Sequence, residues 1–101
     1  MLKQGDIIKL DFNTQSWLAL VISNDKYHKI SQNRAWVCPI ALTDRDYPIH
    51  IRLDEHAVTR GVVLCDQIKT IDTETTKFEF IEVAPDNILQ NSLDIINGLI
   101  T

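Results

Sequence analysis

A run of polar side chains directly after an apolar segment is the part of this chain best suited to chemistry. Residues 62–65 are apolar throughout, as in a buried strand, and Asp66, Gln67 and Lys69 follow them. An extended backbone places alternate side chains on opposite faces, so we expect Asp66 and Thr70 on one face and Gln67 and Lys69 on the other. These groups suit a cleft, but polar residues at strand ends also satisfy backbone groups. The pattern leaves both interpretations open.

The remaining reactive residue types do not form a recognisable metal or phosphate site. His28, His50 and His56 lie in three different segments without the spacing of zinc ligands, and we expect all three at the surface or at the rim of a site. Cys38 and Cys65 each lie within an apolar run, which is typical of small core residues in a reducing compartment. The three glycines are far apart, so no phosphate-binding glycine loop is present. The sequence therefore predicts no metal and no other cofactor.

The length and composition predict one folded domain over residues 1–101, with 45% apolar and 24% charged residues. Without a long apolar run or a leading signal pattern, we expect a cytoplasmic protein that does not engage a membrane. The net charge of −4 disfavours a general nucleic-acid binder. Residues 1–52 nevertheless hold seven Lys/Arg against five Asp/Glu, and residues 53–101 hold three against nine. A local basic patch and an ordinary solvated charge pattern both remain open.

The elements that must position the polar residues are short strands and one terminal helix. Apolar runs and alternating patterns predict strands at 6–12, 17–22, 35–41, 49–53, 61–65, 68–71 and 78–83. Pro39 cannot donate to a ladder, which indicates an edge strand or a bulge. One helical turn is expected over residues 26–30, and Pro85 suits the first position of an amphipathic helix that follows it. The prediction is a mainly β (α+β) fold, a small bent sheet or barrel with a C-terminal helix.

Four segments, in this order, resemble the signatures of the MazF/PemK toxin family: residues 5–12, 19–23, 37–40 and 61–72. Residues 24–27 and the helix after Pro85 also fit, so the resemblance covers nearly the whole chain. It implies an SH3-like small barrel, a homodimer, a cognate antitoxin and metal-independent cleavage of single-stranded RNA. In that reaction the 2′-hydroxyl attacks the adjacent phosphate. Side chains must therefore transfer protons, stabilise the oxyanion and hold the strand.

The chain departs from the family pattern at the positions that the resemblance assigns to catalysis. Only residues 13–16, predicted to form a short turn, separate the first two strands, where the family carries a longer loop with a glutamate. Trp17 stands in place of the catalytic arginine, Leu18 in place of a proline, and Ala41 in place of a threonine that contacts the reacting phosphate. An alanine side chain donates neither a proton nor a hydrogen bond. Because catalytic groups act as a unit, we expect a weakened active site and action through binding.

Other side chains can substitute for the missing groups, in which case the chain is an active RNA-cleaving enzyme. Asp66 matches an aspartate that some members use near the cleft, and Thr43 is predicted to face the same way as position 41. Both are candidate catalytic residues. The predicted RNA-binding residues are Gln15, Arg45, Gln67 and Lys69. Thr43 and Arg45 equally suit an exposed loop, Asp66 suits a structural cap, and Trp17 and Trp36 suit either base stacking or packing in the core or a dimer interface.

Overall fold

The computed structural model describes residues 2–12, 14–43 and 47–101. Its strands are β1 (Asp6–Phe12), β2 (Gln15–Val21), β3 (Arg34–Ala41), β4 (His50–Arg52), β5 (Val62–Leu64), β6 (Lys69–Asp72) and β7 (Lys77–Val83). Helix α1 (Asp25–Ser31) follows β2, and α2 (Asp86–Ile100) follows β7. The strands of the described chain pair antiparallel in the order β4-β5-β3-β2-β1-β7, and β6 also pairs with β3. The predicted mainly β, barrel-like fold with a C-terminal helix is confirmed.

The middle parts of β2 and β3 are buried on both faces, which explains their apolar runs, whereas β1 alternates buried residues with the exposed Lys9 and Asp11. In β2, Leu20 packs into one hydrophobic cluster, and its neighbours Ala19 and Val21 pack into a second cluster on the opposite face. The first cluster lies under α2, which buries Ile88 and Ile96 against the sheet. The second cluster consists of Leu2, Ile8, Leu10, Ala19, Val21, Ala35, Val37 and Ile71, with Trp17 packed against it.

Some predicted element boundaries are wrong by a few residues. Strand β2 begins at Gln15, inside the predicted turn, because Gln15 already pairs with Phe12 of β1. Pro85 is the N-cap of α2 rather than its first residue, because its backbone is extended with ψ 143°. Helix α1 is longer than the predicted single turn, and the Asn24 side chain caps it by accepting the Tyr27 N–H at 3.1 Å.

Strand β3 pairs on one side with two successive strands, and the register shifts by three residues between them. Ile40 lies opposite Val63 of β5, whereas Val37 lies opposite Lys69 of β6. The two residues of β3 between Val37 and Ile40 therefore face the five residues 64–68. The three extra residues leave the ladder, so the predicted continuous alternation from Asp66 to Thr70 is wrong. A hydrogen bond of 3.0 Å from the Gln67 N–H to the Leu64 carbonyl closes a turn there.

Pro39 lies opposite this turn. The Ile22 N–H donates to the Trp36 carbonyl at 2.9 Å, and hydrogen-bonded pairs alternate along an antiparallel ladder. Pro39 therefore pairs with Ala19 in a position without hydrogen bonds, and its nitrogen faces the side where β5 gives way to β6. A residue without an N–H loses nothing at such a gap. The expected alternatives at Pro39 are an edge strand or a bulge; the edge strand is wrong because β3 is central, and in place of a bulge the ladder changes partner from β5 to β6 opposite Pro39.

Glu82 of β7 holds the loop that connects β4 to β5. Its carboxylate accepts hydrogen bonds from the Thr59 N–H and hydroxyl, both at 2.6 Å, and from the Val58 N–H at 3.1 Å. Burial opposes ionisation of this carboxyl, but the hydrogen bonds from Thr59 and Val58 lower its pKa below the ordinary value. The ionised carboxylate is thus the form that ties the loop to the sheet.

Gly61 provides a test of the close approach between β5 and β3. Its φ is +129°, and an added Cβ would lie 2.7 Å from the Ala41 carbonyl oxygen. We expect Gly61→Ala to lower the free energy of unfolding by about 2 kcal/mol or more in urea titrations, because backbone atoms must separate. The matched control is Gly98→Ala in α2, where a Cβ meets nothing within 4 Å and helix propensity predicts a gain of up to about 1 kcal/mol. Unchanged stability of the Gly61 variant would contradict this packing.

Candidate functional site

His50 and Asp66 form a hydrogen-bonded pair beside the β5–β6 turn. His50 Nε2 lies 2.9 Å from Asp66 Oδ1, and the two side chains are 12% and 38% exposed. The pairing of β4 with β5 sets His50 opposite Leu64, two residues before Asp66. His50 is expected at the surface or a rim, and its contact with Asp66 is not evident from the sequence. The sequence signal for this contact is the pairing of β4 with β5, two consecutive short strands.

The pair has a geometry suited to proton transfer. An ionised carboxylate only accepts hydrogen bonds, so Nε2 of His50 carries the proton that Asp66 accepts. This leaves Nδ1 as the basic atom of a neutral imidazole. The Tyr47 ring packs edge-on against His50, with centroids 5.2 Å apart and an interplanar angle of 70°. A histidine oriented by a carboxylate and an aromatic ring has the geometry of a general base.

Asp66 also lines a small, mainly apolar hollow. Its volume is about 240 Å³, and its walls are Cys65, Asp66, Ile68, Ile96, Leu99 and Ile100. Leu99 and Ile100 are the exposed last residues of α2. The carboxylate therefore lies between a polar neighbour on one side and the end of the C-terminal helix on the other.

Lys69 lies in a different hollow, next to Trp17. This hollow has a volume of about 550 Å³ and is lined by Trp17, Lys69, Thr70, Ile71 and Thr76. Trp17 is half-buried and packs against the second hydrophobic cluster, so its predicted packing role is confirmed. Of the residues predicted to bind RNA, Lys69 is the one that the structure places beside position 17.

Thr43 lies in a third hollow with two arginines. The guanidinium of Arg52 donates to the Thr43 carbonyl at 3.2 Å. The hollow has a volume of about 410 Å³ and is lined by Leu42, Thr43, Arg52, Leu53, Arg60 and Gly61. Sequence reasoning did not select Arg52 or Arg60, although Arg52 alternates with apolar residues in β4 and such positions face solvent. The two residues predicted to be catalytic, Thr43 and Asp66, line separate hollows.

The other predicted residues are dispersed. Gln15 and Gln67 are exposed, Gln15 at the start of β2 and Gln67 in the turn before β6. Arg45 lies outside the described residues. Trp36 is 43% exposed and lies against the Tyr27 ring, with centroids 4.9 Å apart and planes inclined at 46°, so core packing of Trp36 is wrong. The exposed Trp36 ring beside the half-buried Tyr27 suits contact with bases or with another chain.

The other two histidines differ from one another. His28 is buried, contrary to the prediction, and its Nε2 lies 2.6 Å from the Ser23 hydroxyl oxygen. His56 is exposed as predicted, and its Nδ1 lies 3.3 Å from Asp54. The Asn87 side chain and the His56 N–H donate to Asp54 and lower the pKa of that carboxyl. In the described part of the chain, no group of three or more His, Cys, Asp and Glu residues is arranged to hold a metal ion.

Both cysteines are free and buried, in agreement with the prediction of core residues. Burial, together with the neighbouring Cys65 and Asp66, raises the pKa of the Cys38 thiol to about 12. Burial also raises the pKa of Cys65.

Over the residues that the structure describes, neither helix is long and apolar enough to cross a membrane.

These pKa values predict inert thiols. At pH 8 a thiol with the pKa of Cys38 is ionised in about one molecule in ten thousand, and only the thiolate is nucleophilic. We expect iodoacetamide to modify both cysteines at least about a hundredfold more slowly in the folded protein than in urea. Mass spectrometry of quenched samples gives both rates, with glutathione as the reference thiol. Modification at the rate of the unfolded chain would contradict the buried environment.

Comparisons with known proteins agree with the fold. A sequence model of a family described as PemK-like, MazF-like toxin of type II toxin-antitoxin system matches residues 3–97. One chain of a MazE-MazF complex (Form-II) from Deinococcus radiodurans is 26% identical in sequence to this chain. The match covers 97% of this chain and 93% of that chain, with a TM-score of 0.86. MazF (Form-I) from the same organism is 25% identical, with 97% and 94% covered and a TM-score of 0.83.

A mycobacterial endoribonuclease in complex with its cognate antitoxin is 17% identical, with 98% of this chain and 97% of that chain covered and a TM-score of 0.80. At this identity the likeness concerns the fold alone. A comparison with curated proteins gave no match.

Proposed function

The chain belongs to the PemK-like, MazF-like toxin family of type II toxin-antitoxin systems, and we propose that it acts mainly by binding, with a weakened ability to cleave RNA. The proposed partners are a second copy of the chain, a cognate antitoxin and single-stranded RNA. The Deinococcus relative in complex with MazE supports the antitoxin as a partner. The observation that carries the proposal is Trp17, which packs against the hydrophobic core where the family resemblance implies a catalytic arginine.

The hollow at Trp17 suits binding better than cleavage. An indole face stacks on a nucleobase irrespective of its identity, and the Lys69 ammonium beside it attracts a phosphate. A lysine is a single point charge, whereas an arginine holds two phosphate oxygens at once. Stabilisation of the developing oxyanion is usually the largest catalytic contribution. Trp17 and Ala41 stand in place of the expected arginine and threonine donors. The RNA strand is therefore held, but its reacting phosphate is poorly stabilised.

Restoring the missing groups tests this proposal. We expect the double variant W17R/A41T to cleave a panel of single-stranded RNAs about tenfold faster or more than the wild type, because it regains a cation and a hydroxyl donor. Rates are measured by gel electrophoresis, and circular dichroism checks that the variant is folded. The matched control W17L/A41T removes the indole without adding a charge, and A41T alone leaves the packing of Trp17 intact. Equal rates in the wild type and all three folded variants would overturn the proposal of a weakened site.

The His50–Asp66 pair favours a second candidate function, residual cleavage by a different proton-transfer group. In this reaction Nδ1 of His50 takes the proton of the 2′-hydroxyl, and the 2′-oxygen attacks the phosphorus. The 5′-oxygen then leaves and receives a proton from water, which gives a 2′,3′-cyclic phosphate and a 5′-hydroxyl. Asp66 accepts the Nε2–H and stabilises the imidazolium that forms.

A matched pair of histidine variants tests the second candidate. General acid–base groups contribute about 10² to 10⁴ in rate, so we expect H50Q to lower cleavage by about a hundredfold in both the wild type and W17R/A41T. His56 also has an aspartate neighbour but is exposed, and H56Q should leave cleavage unchanged. Cleavage by H50Q at the parental rate would exclude His50 as the base. That outcome would not contradict the proposed RNA binding at Trp17 and Lys69, which fluorescence anisotropy measures independently of cleavage.

A further inference from the structure

A separate cavity lies at the opposite end of β3 from Ala41 and the β5–β6 turn. It has a volume of about 230 Å³, with polar walls from His28, Gln32, Arg34 and Thr73 and apolar walls from Leu2, Ala35 and Phe78. Arg34 is the first residue of β3 and Ala41 is the last, so the strand alone separates the two ends by roughly 20 Å. The cavity shares no lining residue with the hollows at Trp17 or Asp66, although Ala35 in its wall pairs with Ile71 of the Trp17 hollow.

The histidine in the wall of this cavity has an unpaired nitrogen. His28 is 9% exposed, and within the described part of the chain its buried Nδ1 has no hydrogen-bond partner. Ser23 Oγ accepts the Trp36 N–H at 2.9 Å, which leaves the serine hydroxyl free to donate to His28 Nε2 at 2.6 Å. The opposite tautomer would leave both the hydroxyl hydrogen and Nδ1 unpaired. Nδ1 is therefore an N–H donor, and an unmade bond at a buried donor costs about 1–3 kcal/mol.

The backbone beside His28 is also strained. Gln32 has φ 68° and ψ −47°, a region that residues with a side chain rarely adopt. It is held there by its N–H, which donates to the His28 carbonyl at 2.9 Å, and by the Thr73 N–H, which donates to the neighbouring Asn33 carbonyl at 2.7 Å. Such strain costs about 1–3 kcal/mol and clusters at ligand-binding sites. The strained residue also lines this cavity.

Arg34 provides the positive charge of this wall. Its cross-strand neighbour is Asp72, but Asp72 Oδ1 accepts the Glu74 N–H at 2.9 Å. Among the residues that the structure describes, no ion pair joins Arg34 to an acidic group. The polar residues His28, Gln32, Arg34 and Thr73 thus line a space whose other walls are aliphatic groups and the half-exposed Phe78 ring.

We propose that this cavity binds a small organic carboxylate. A carboxylate carries one negative charge, which matches the single guanidinium, and its two oxygens accept hydrogen bonds from Arg34 and from the Thr73 hydroxyl. The apolar body of the molecule contacts Leu2, Ala35 and Phe78. The volume limits the ligand to about the size of an aromatic acid or a branched aliphatic acid. This proposal does not rest on the proposed RNA binding or cleavage.

Benzoate is the probe for this site, titrated into the full chain and followed by NMR. We expect saturable shifts of the His28 ring nitrogens and of the Gln32 and Thr73 amides, with a dissociation constant in the millimolar range or below, on the order of 1 mM. Arg34 is exposed, so R34Q should fold, and we expect it to weaken binding about fivefold or more. The control R60Q removes an exposed arginine elsewhere and should bind as the wild type does. Benzamide, which has the same shape without the charge, should bind more weakly than benzoate.

Several outcomes would overturn the proposal. They are the absence of saturation at the His28 ring up to about 50 mM benzoate, equal affinities of R34Q and the wild type, or equal affinities for benzoate and benzamide. The isosteric variant T73V gives an independent check, because losing its hydroxyl should weaken benzoate binding while leaving the fold intact. Unchanged binding by T73V would exclude Thr73 from the site.

Discussion

The mismatch between β3 and its two partners on one side is the constraint on which the arrangement of the candidate site depends. Two residues of β3 face five residues between β5 and β6, and extended strands cannot absorb this difference. The excess leaves the sheet as the turn that carries Asp66 and Gln67. Pro39 occupies the matching position on β3, where its missing N–H leaves no donor unpaired. The carboxylate that meets His50 is thus located where the ladder stops.

The same constraint separates the reactive groups. Strand β6 continues along β3 and brings Lys69 to Trp17, whereas β5 ends near β4 and brings Asp66 to His50. Thr43 lies with Arg52 beyond the end of β3. A cation, an acid–base pair and a hydroxyl are therefore distributed over three hollows rather than gathered around one phosphate. This arrangement is more easily reconciled with holding an extended strand than with concentrated chemistry at a single bond.

The strands and the terminal helix could be predicted from the sequence because their signals are local. Alternation in β1 and β4 and the three- and four-residue spacing of α2 depend on neighbours in the chain. The turn at residues 65–68 could not, because residues 61–72 read as extended and the excess appears only when two strands are aligned on β3. The contact of His50 with Asp66 could not be predicted either, because it also depends on how separate strands are aligned. His28 follows a capping residue in a short polar helix, and only its pairing with Ser23 explains its burial.

The pairing of β1 with β2 up to Phe12 and Gln15 has a consequence for how this family diversifies. The free energy of closing a loop grows slowly with its length, by about 0.6 kcal/mol for each doubling. Residues can therefore be added or lost at the tip of this hairpin while the register of every strand is retained. The length of the tip is thus free to vary separately from the barrel that carries it.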